Sequence, residues 1–68
     1  MKAISGKELC KALQRHGWRL WHIRGSHHHF EHPARPGHII VPVHGNKTLK
    51  KGTQHSLMRD AGLTDADL

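Results

Sequence analysis

Trp18-Arg19-Leu20-Trp21-His22-Ile23-Arg24-Gly25-Ser26-His27-His28-His29-Phe30-Glu31-His32 is the stretch on which the fold turns. Residues 18–24 carry the aromatic and β-branched side chains that suit a strand. The alternation is imperfect, with Trp18 and Leu20 on one face and Trp21 and Ile23 on the other. Gly25-Ser26 reads as a turn. His27 to His32 follows as a second short strand, with Phe30 its one strong apolar anchor. Pro33-Ala34-Arg35-Pro36-Gly37 then reads as a loop, through its two prolines and glycine. His38-Ile39-Ile40-Val41-Pro42-Val43 is a third strand, rich in β-branched residues. Pro42 has no amide proton to give a ladder, which places it at a sheet edge or near the strand end.

Helix signals flank these strands. Ser5 followed three residues later by Glu8 is a capping box, and Ile4 and Leu9 hold the staple positions around it. Leu9, Ala12 and Leu13 form one apolar stripe, and Gly17 ends the helix in a left-handed conformation. Downstream, His44-Gly45-Asn46 opens a loop that continues through Lys47-Thr48-Leu49-Lys50-Lys51-Gly52. Thr53 is the expected N-cap of a second helix with Leu57, Met58 and Ala61 on its apolar face and Gly62 at its end. Residues 64–68 read as a further helical turn or a frayed tail. The order predicts an α+β fold, α-β-β-β-α, in one domain over residues 1–68. Its three-stranded antiparallel sheet carries both helices on one face, the plan of a double-stranded-RNA-binding domain. Leu9, Leu13, Leu57 and Met58 would pack on the strands, and the other sheet face would stay open to solvent or a ligand.

Eleven Lys and Arg stand against five Asp and Glu, a formal charge of +6. Asp60, Asp65 and Asp67 all lie in the last nine residues, so residues 1–59 set eleven bases against Glu8 and Glu31, a formal +9. That excludes an acidic, solvating chain and favours a polyanionic partner: RNA, DNA, an acidic protein or an anionic membrane. Hydrophobic residues are 35% of the chain. A single core at this length rarely supplies more than roughly 3–5 kcal/mol, so a partner chain would add stability. The lone Cys10 excludes an internal disulfide framework and a Cys-based zinc site. No apolar run approaches the roughly 20 residues that span a bilayer. No hydrophobic region follows Met1 as in a signal peptide. The expected setting is reducing and cytoplasmic, with no membrane partner.

Nine histidines in 68 residues are the most unusual feature. Three readings compete for them. Taken singly, a histidine is by default a solvated strand residue. As metal ligands, His27 and His29 share a strand face and His32 adds a third nitrogen, yet there is no Cys pair and no HExxH. As acid–base catalysts, imidazoles titrate at about pH 6.5 and give or take a proton at neutral pH. RNA carries its own nucleophile, the 2′-hydroxyl, so a ribonuclease needs only a base, an acid and cations for the phosphate. That chemistry requires no cofactor and no metal.

Two segments suit it. His27 opens the second strand directly after Gly25-Ser26, where glycine permits close approach and Ser26 can orient an imidazole or bond a phosphate oxygen. Alternation sends His28 with Phe30 toward the helices, and His27 with His29 toward the open face. His27 is thus the better catalytic candidate and His28 the reserve, since a one-residue bulge would exchange them. The second segment is Lys47, Lys50 and Lys51, a charge cluster that leads through Gly52 and Thr53 into a helix N-terminus. Lysines hold phosphates as point charges, and free N–H groups at a helix start add to that. Trp18 and Trp21 are candidates for base stacking, though at least one is needed in so small a core.

Taken together, Gly17-Trp18, Gly25-Ser26-His27-His28, His32-Pro33, Val41-Pro42-Val43-His44, Lys50-Lys51-Gly52-Thr53 and Ala61-Gly62-Leu63 resemble the HicA family, toxins of bacterial and archaeal toxin–antitoxin pairs. Ser5-Gly6-Lys7-Glu8-Leu9 is similar to that family's first helix, so the resemblance runs from about residue 4 to residue 63. It implies a double-stranded-RNA-binding-like fold and an mRNA interferase that cleaves RNA without a metal. It implies an essential histidine in the Gly-Ser-His segment, here Gly25-Ser26-His27 with His28 adjacent. It also implies a HicB antitoxin that covers the site. His29, which extends the pair to a triplet, departs from the family pattern and is assigned to substrate contact. The general acid stays open among His44, His29 and a lysine. The competing reading is a non-catalytic double-stranded-RNA-binding-like module.

Overall fold

A computed structural model describes all residues, 1–68. Helix α1 spans Gly6–Arg15, strand β1 Arg19–Arg24, β2 His27–His32, β3 Arg35–Pro42 and helix α2 Lys51–Ala61, and a 3₁₀ turn covers Asp65–Asp67. The three strands form one antiparallel sheet in the order β1-β2-β3. This is the α-β-β-β-α architecture of double-stranded-RNA-binding domains.

Local chemistry sets the ends of α1. The Glu8 amide donates to Ser5 Oγ at 3.1 Å, and Glu8 Oε1 accepts from the Ser5 amide at 3.1 Å, closing the capping box. At the other end the Trp18 amide bonds the Leu13 carbonyl and the Gly17 amide the Gln14 carbonyl, a full Schellman closure around Gly17 at φ +90°. Gly62, at φ +74°, closes α2 in the same way through Leu63 and Met58.

Both helices lie on one face of the sheet. Leu9, Ala12 and Leu13 of α1 and Met58 and Ala61 of α2 share the core with Trp18, Phe30, Ile39 and Val41. Leu57 is only half-buried; the second helix instead turns Gln54 fully inward. Gln54 Oε1 accepts from the Ile4 amide at 3.1 Å, and its Nε2 donates to the Lys2 carbonyl. The amide side chain thereby anchors the N-terminal segment, which no apolar pattern announces. The helices bury Phe30 of β2 and Ile39 and Val41 of β3, whereas every residue of β1 is exposed, Leu20 and Ile23 among them.

Three expectations need correction. The expected 33–37 loop is a turn at Pro33-Ala34 only, because His32 pairs with Arg35 and the third strand begins there. Pro36 and Gly37 are accommodated as a bulge on an edge strand, where a missing N–H costs no ladder bond. Thr53 is not the N-cap of α2: that position is Lys50, whose carbonyl accepts the first helical bond from Gln54 at 2.9 Å. Thr53 sits in the first helical turn, and no side chain caps the helix. Of the two readings of the tail, a further turn or fraying, the structure takes the first: the Thr64 amide donates to Asp67 Oδ2 at 2.7 Å, and Asp67 meets His16 at 3.3 Å. Finally, Trp21 and Ile23 do not share a face of β1. Leu20 pairs with Phe30 but His22 with His29, which leaves Trp21 in a one-residue bulge.

Candidate active site

The β1–β2 hairpin closes on Gly25-Ser26, and of the two only Gly25 has positive φ, at +59°. That is the II′ pattern, whose twist matches the flanking strands and whose first position favours glycine. The turn is also held from outside, since the Val43 amide donates to the Ser26 carbonyl at 2.8 Å. At the same end of the sheet, α1 starts against β3. A Cβ on Gly6 would overlap the Pro42 carbonyl, so glycine is what lets the helix start this close to the strand end.

Register then fixes the triplet. His27 pairs with Arg24 and with Pro42, on the outer face away from the helices, and is exposed. His28 pairs with Ile23 and with buried Val41, on the helix side, and is half-buried. The parity agrees with the sequence reading, and neither ring is sealed beneath the helices. Pro42 ends β3 at the sheet edge, as expected.

The loop after β3 turns at His44–Lys47, where the Lys47 amide bonds the His44 carbonyl at 3.0 Å. It then runs back beside the N-terminal segment. Thr48 bridges to Ser5, and the Leu49 amide donates to the Ile4 carbonyl at 2.9 Å. A groove of about 370 Å³ results, lined in part by Pro42, His44, Lys47, Lys50 and Thr53. Two of the three candidate lysines therefore share one groove, walled by the strand partner of His27. Lys51 is not among its lining residues; with Gly52 and His55 it borders a separate hollow beside Met1. The first-turn amides of α2 at Lys51, Gly52 and Thr53 precede the first intrahelical donor and have no acceptor in the helix.

The sequence reading missed a second constellation. The bulge at Trp21 breaks the alternation and brings Trp21 beside His22: their rings stack at 5.3 Å with 27° between planes. His29 stands edge-on to both, at 5.7 Å from Trp21 and 5.3 Å from His22. His38 stacks on His29 at 6.2 Å. Four rings thus cross the outer face of the sheet from β1 to β3. Partial burial among these rings, then the neighbouring imidazoles His22, His38 and His27 and the Arg24 guanidinium, push the His29 imidazole below its ordinary range. The broken alternation in Trp18–Arg24 was the available signal.

Other titratable groups have structural employment. His32 Nδ1 accepts from the Ala34 amide and its Nε2 meets the His16 carbonyl, each at 3.0 Å, while its ring packs edge-on to buried Trp18 at 5.2 Å. Burial pushes the Cys10 thiol up to about 11, which holds it protonated and unreactive. No cluster of three or more His, Cys, Asp or Glu is arranged to hold a metal ion, and no helix is long and apolar enough to cross a membrane.

A model of the family described as the HicA toxin of bacterial toxin–antitoxin systems matches residues 6–63. No curated protein matches the chain. The matched span begins at the first helical residue, just after the capping Ser5, and contains the Gly-Ser turn, the histidine triplet, the lysine groove and both helices.

Proposed function

The chain belongs to the HicA family of toxins from bacterial toxin–antitoxin pairs, and we propose that it is an endoribonuclease, an mRNA interferase that uses histidine acid–base chemistry and no metal. The observation that carries this is the position of His27. It is an exposed imidazole immediately after a rigid turn, and its strand partner Pro42 walls the groove that holds Lys47 and Lys50.

The reaction needs two proton transfers and charge neutralisation. A base removes the proton of a ribose 2′-hydroxyl, whose oxygen attacks the adjacent phosphorus. The bond to the 5′-oxygen of the next nucleotide breaks, and an acid protonates that oxygen. The products are a 2′,3′-cyclic phosphate, or its hydrolysed form, and a 5′-hydroxyl. His27 carries one of the two transfers, and His28 is the reserve at the same turn. His44, in the lysine groove, is the nearest imidazole in sequence to the strand end facing His27 and is a candidate for the other transfer. Lys47 and Lys50 hold backbone phosphates, with Lys51 and the open amides at the start of α2 beside them. Ser26 presents its hydroxyl at the turn.

A +6 protein with an exposed site of this kind binds polyanions without discrimination. An acidic HicB-type antitoxin, encoded next to it and acting with it in the cytoplasm, would neutralise the charge and cover His27. The test is incubation of RNA with wild type, His27→Ala and His28→Ala in EDTA, followed by analysis of product ends. His27→Ala is expected to lose about 10²- to 10⁴-fold in cleavage rate, the usual share of one acid–base group, with the fold retained. Undiminished cleavage by both variants would sink the assignment. Intact RNA with salt-sensitive binding by wild type would leave a non-catalytic binding module.

A further inference from the structure

We propose that the ring row on the outer face of the sheet, Trp21, His22, His29 and His38, is the surface on which unpaired bases of a single-stranded RNA stack while His27 meets its backbone. The proposal rests on the ribonuclease reading and adds to it the binding surface and the strandedness of the substrate.

Three observations support it. First, the row is built by the backbone. Without the one-residue bulge in β1, alternation from Leu20 would leave Trp21 on the outer face but turn His22 to the helix side; with it, Trp21 and His22 stand on the outer face together. An indole left 55% exposed in such a row serves something other than the core, which Trp18 fills at 3% exposure. Second, the rings are flat and packed on one another, and His29 at the centre has its imidazole kept below the ordinary range by burial and then by its neighbours. Neutral π faces stack on bases of any identity, whereas an A-form duplex keeps its base faces hidden. Third, a guanidinium stands at each end of the row, Arg24 unopposed by an acid and Arg19 facing the Glu31 carboxylate. Arg24 pairs with His27 at one end and Arg19 with Glu31 at the other, both on β1. The strand that crosses the rings therefore reaches His27 within the same sheet face, two residues beyond the His22–His29 pair.

The likeness to double-stranded-RNA-binding domains thus concerns the chain path and not the substrate. In-line attack by a 2′-hydroxyl also requires backbone freedom that a duplex denies.

The probe is a 2′-O-methyl oligonucleotide, which lacks the nucleophile and is uncleavable, used as a single strand and as a blunt duplex of equal length. Binding is titrated for wild type, Trp21→Ala and the double variant His22→Ala/His38→Ala, with circular dichroism as the check on folding. Wild type is expected to prefer the single strand. Trp21→Ala should weaken that binding about tenfold, as loss of one stacked base predicts, with an unchanged salt slope and unchanged duplex affinity. Equal affinity of wild type and Trp21→Ala for the single strand, preference for the duplex, or no RNA binding at all would each overturn the proposal. So would loss of binding to an antitoxin in Trp21→Ala with RNA affinity intact, since the row would then be a protein interface. Binding that responds as expected in a chain that cleaves nothing would uphold the stacking surface and refute the nuclease. Cleavage with an unaltered KM in Trp21→Ala would do the reverse.

Discussion

Gln54→Leu tests how the lysine groove is held in place. Gln54 is completely buried, and its side chain makes the bonds that tie the N-terminal segment to α2. Leucine fills comparable volume but offers neither partner. Two net hydrogen bonds are lost at about 1 kcal/mol each, and the Ile4 amide is left without an acceptor at a further cost of about 1–3 kcal/mol. Gain from the added apolar surface offsets part of this, so the expected destabilisation is about 2–4 kcal/mol. In a chain of this size that is most of the roughly 3–5 kcal/mol a single core supplies. The same Ile4 that donates to Gln54 accepts the Leu49 amide, so the loop bearing Lys47 and Lys50 should loosen before the sheet melts. The assays are urea unfolding followed through buried Trp18 and hydrogen exchange at the Leu49 amide. Gln54→Glu is the companion variant. Its carboxylate still accepts from Ile4 but faces the Lys2 carbonyl with no proton to give, so it too should be destabilised at neutral pH, and protonating it should recover part of the loss. A urea midpoint for Gln54→Leu indistinguishable from wild type, with Leu49 equally protected, would refute the reasoning.

The groove makes a separate claim about charge. Lys47→Ala/Lys50→Ala should lower the slope of log affinity against log salt for single-stranded RNA by about 0.7 for each phosphate that is no longer neutralised, read from titrations at several salt concentrations. A slope that does not move removes these lysines from the interface. Stability should fall as the solution is acidified. His29 is held below the ordinary imidazole range, so as pH drops through that range the unfolded chain takes up the proton more readily than the fold does. Glu8 and Asp67 are held below the carboxylate range, chiefly by the backbone amides of Ser5 and Thr64, and their contribution is lost as pH falls through their folded values. All three act with one sign, so a urea midpoint that rises between pH 8 and pH 4 would contradict them, and His29→Gln should remove the first part of the decline.

How much of this was readable beforehand depended on whether a signal is local. The capping box at Ser5 and Glu8, the left-handed closures at Gly17 and Gly62 and the turn at Gly25-Ser26 are decided within four or five residues, and the sequence states each of them. Parity along a strand is equally local, which is why His27 and His28 fall on the faces expected. The misreadings arise where a partner strand decides. Pro36 and Gly37 look like loop residues, yet an edge strand absorbs them as a bulge. Thr53 has the right side chain for a cap, but the helix starts earlier because the Lys50 carbonyl is where the chain leaves the Leu49–Ile4 bridge. Gln54 carries no apolar signal, because what it satisfies is the backbone of a segment about fifty residues away.

The ring row follows from the same economy. Two short helices and 35% hydrophobic residues suffice to cover one face of a three-stranded sheet, and even there Leu20 and Ile23 stay exposed. The other face must be occupied by side chains that tolerate both water and contact. Imidazole and indole do so, with a flat apolar body and a polar edge. His27 then lies at an end held by a II′ turn, the Val43–Ser26 bond and the close approach of Gly6 to Pro42. The lysines lie on a loop fastened mainly through Ile4 and Ser5. On the proposed reading, chemistry at the first and phosphate affinity at the second can be altered separately. Substitutions in the 47–50 loop should therefore change KM and salt dependence while the rate of the bound step stays with His27.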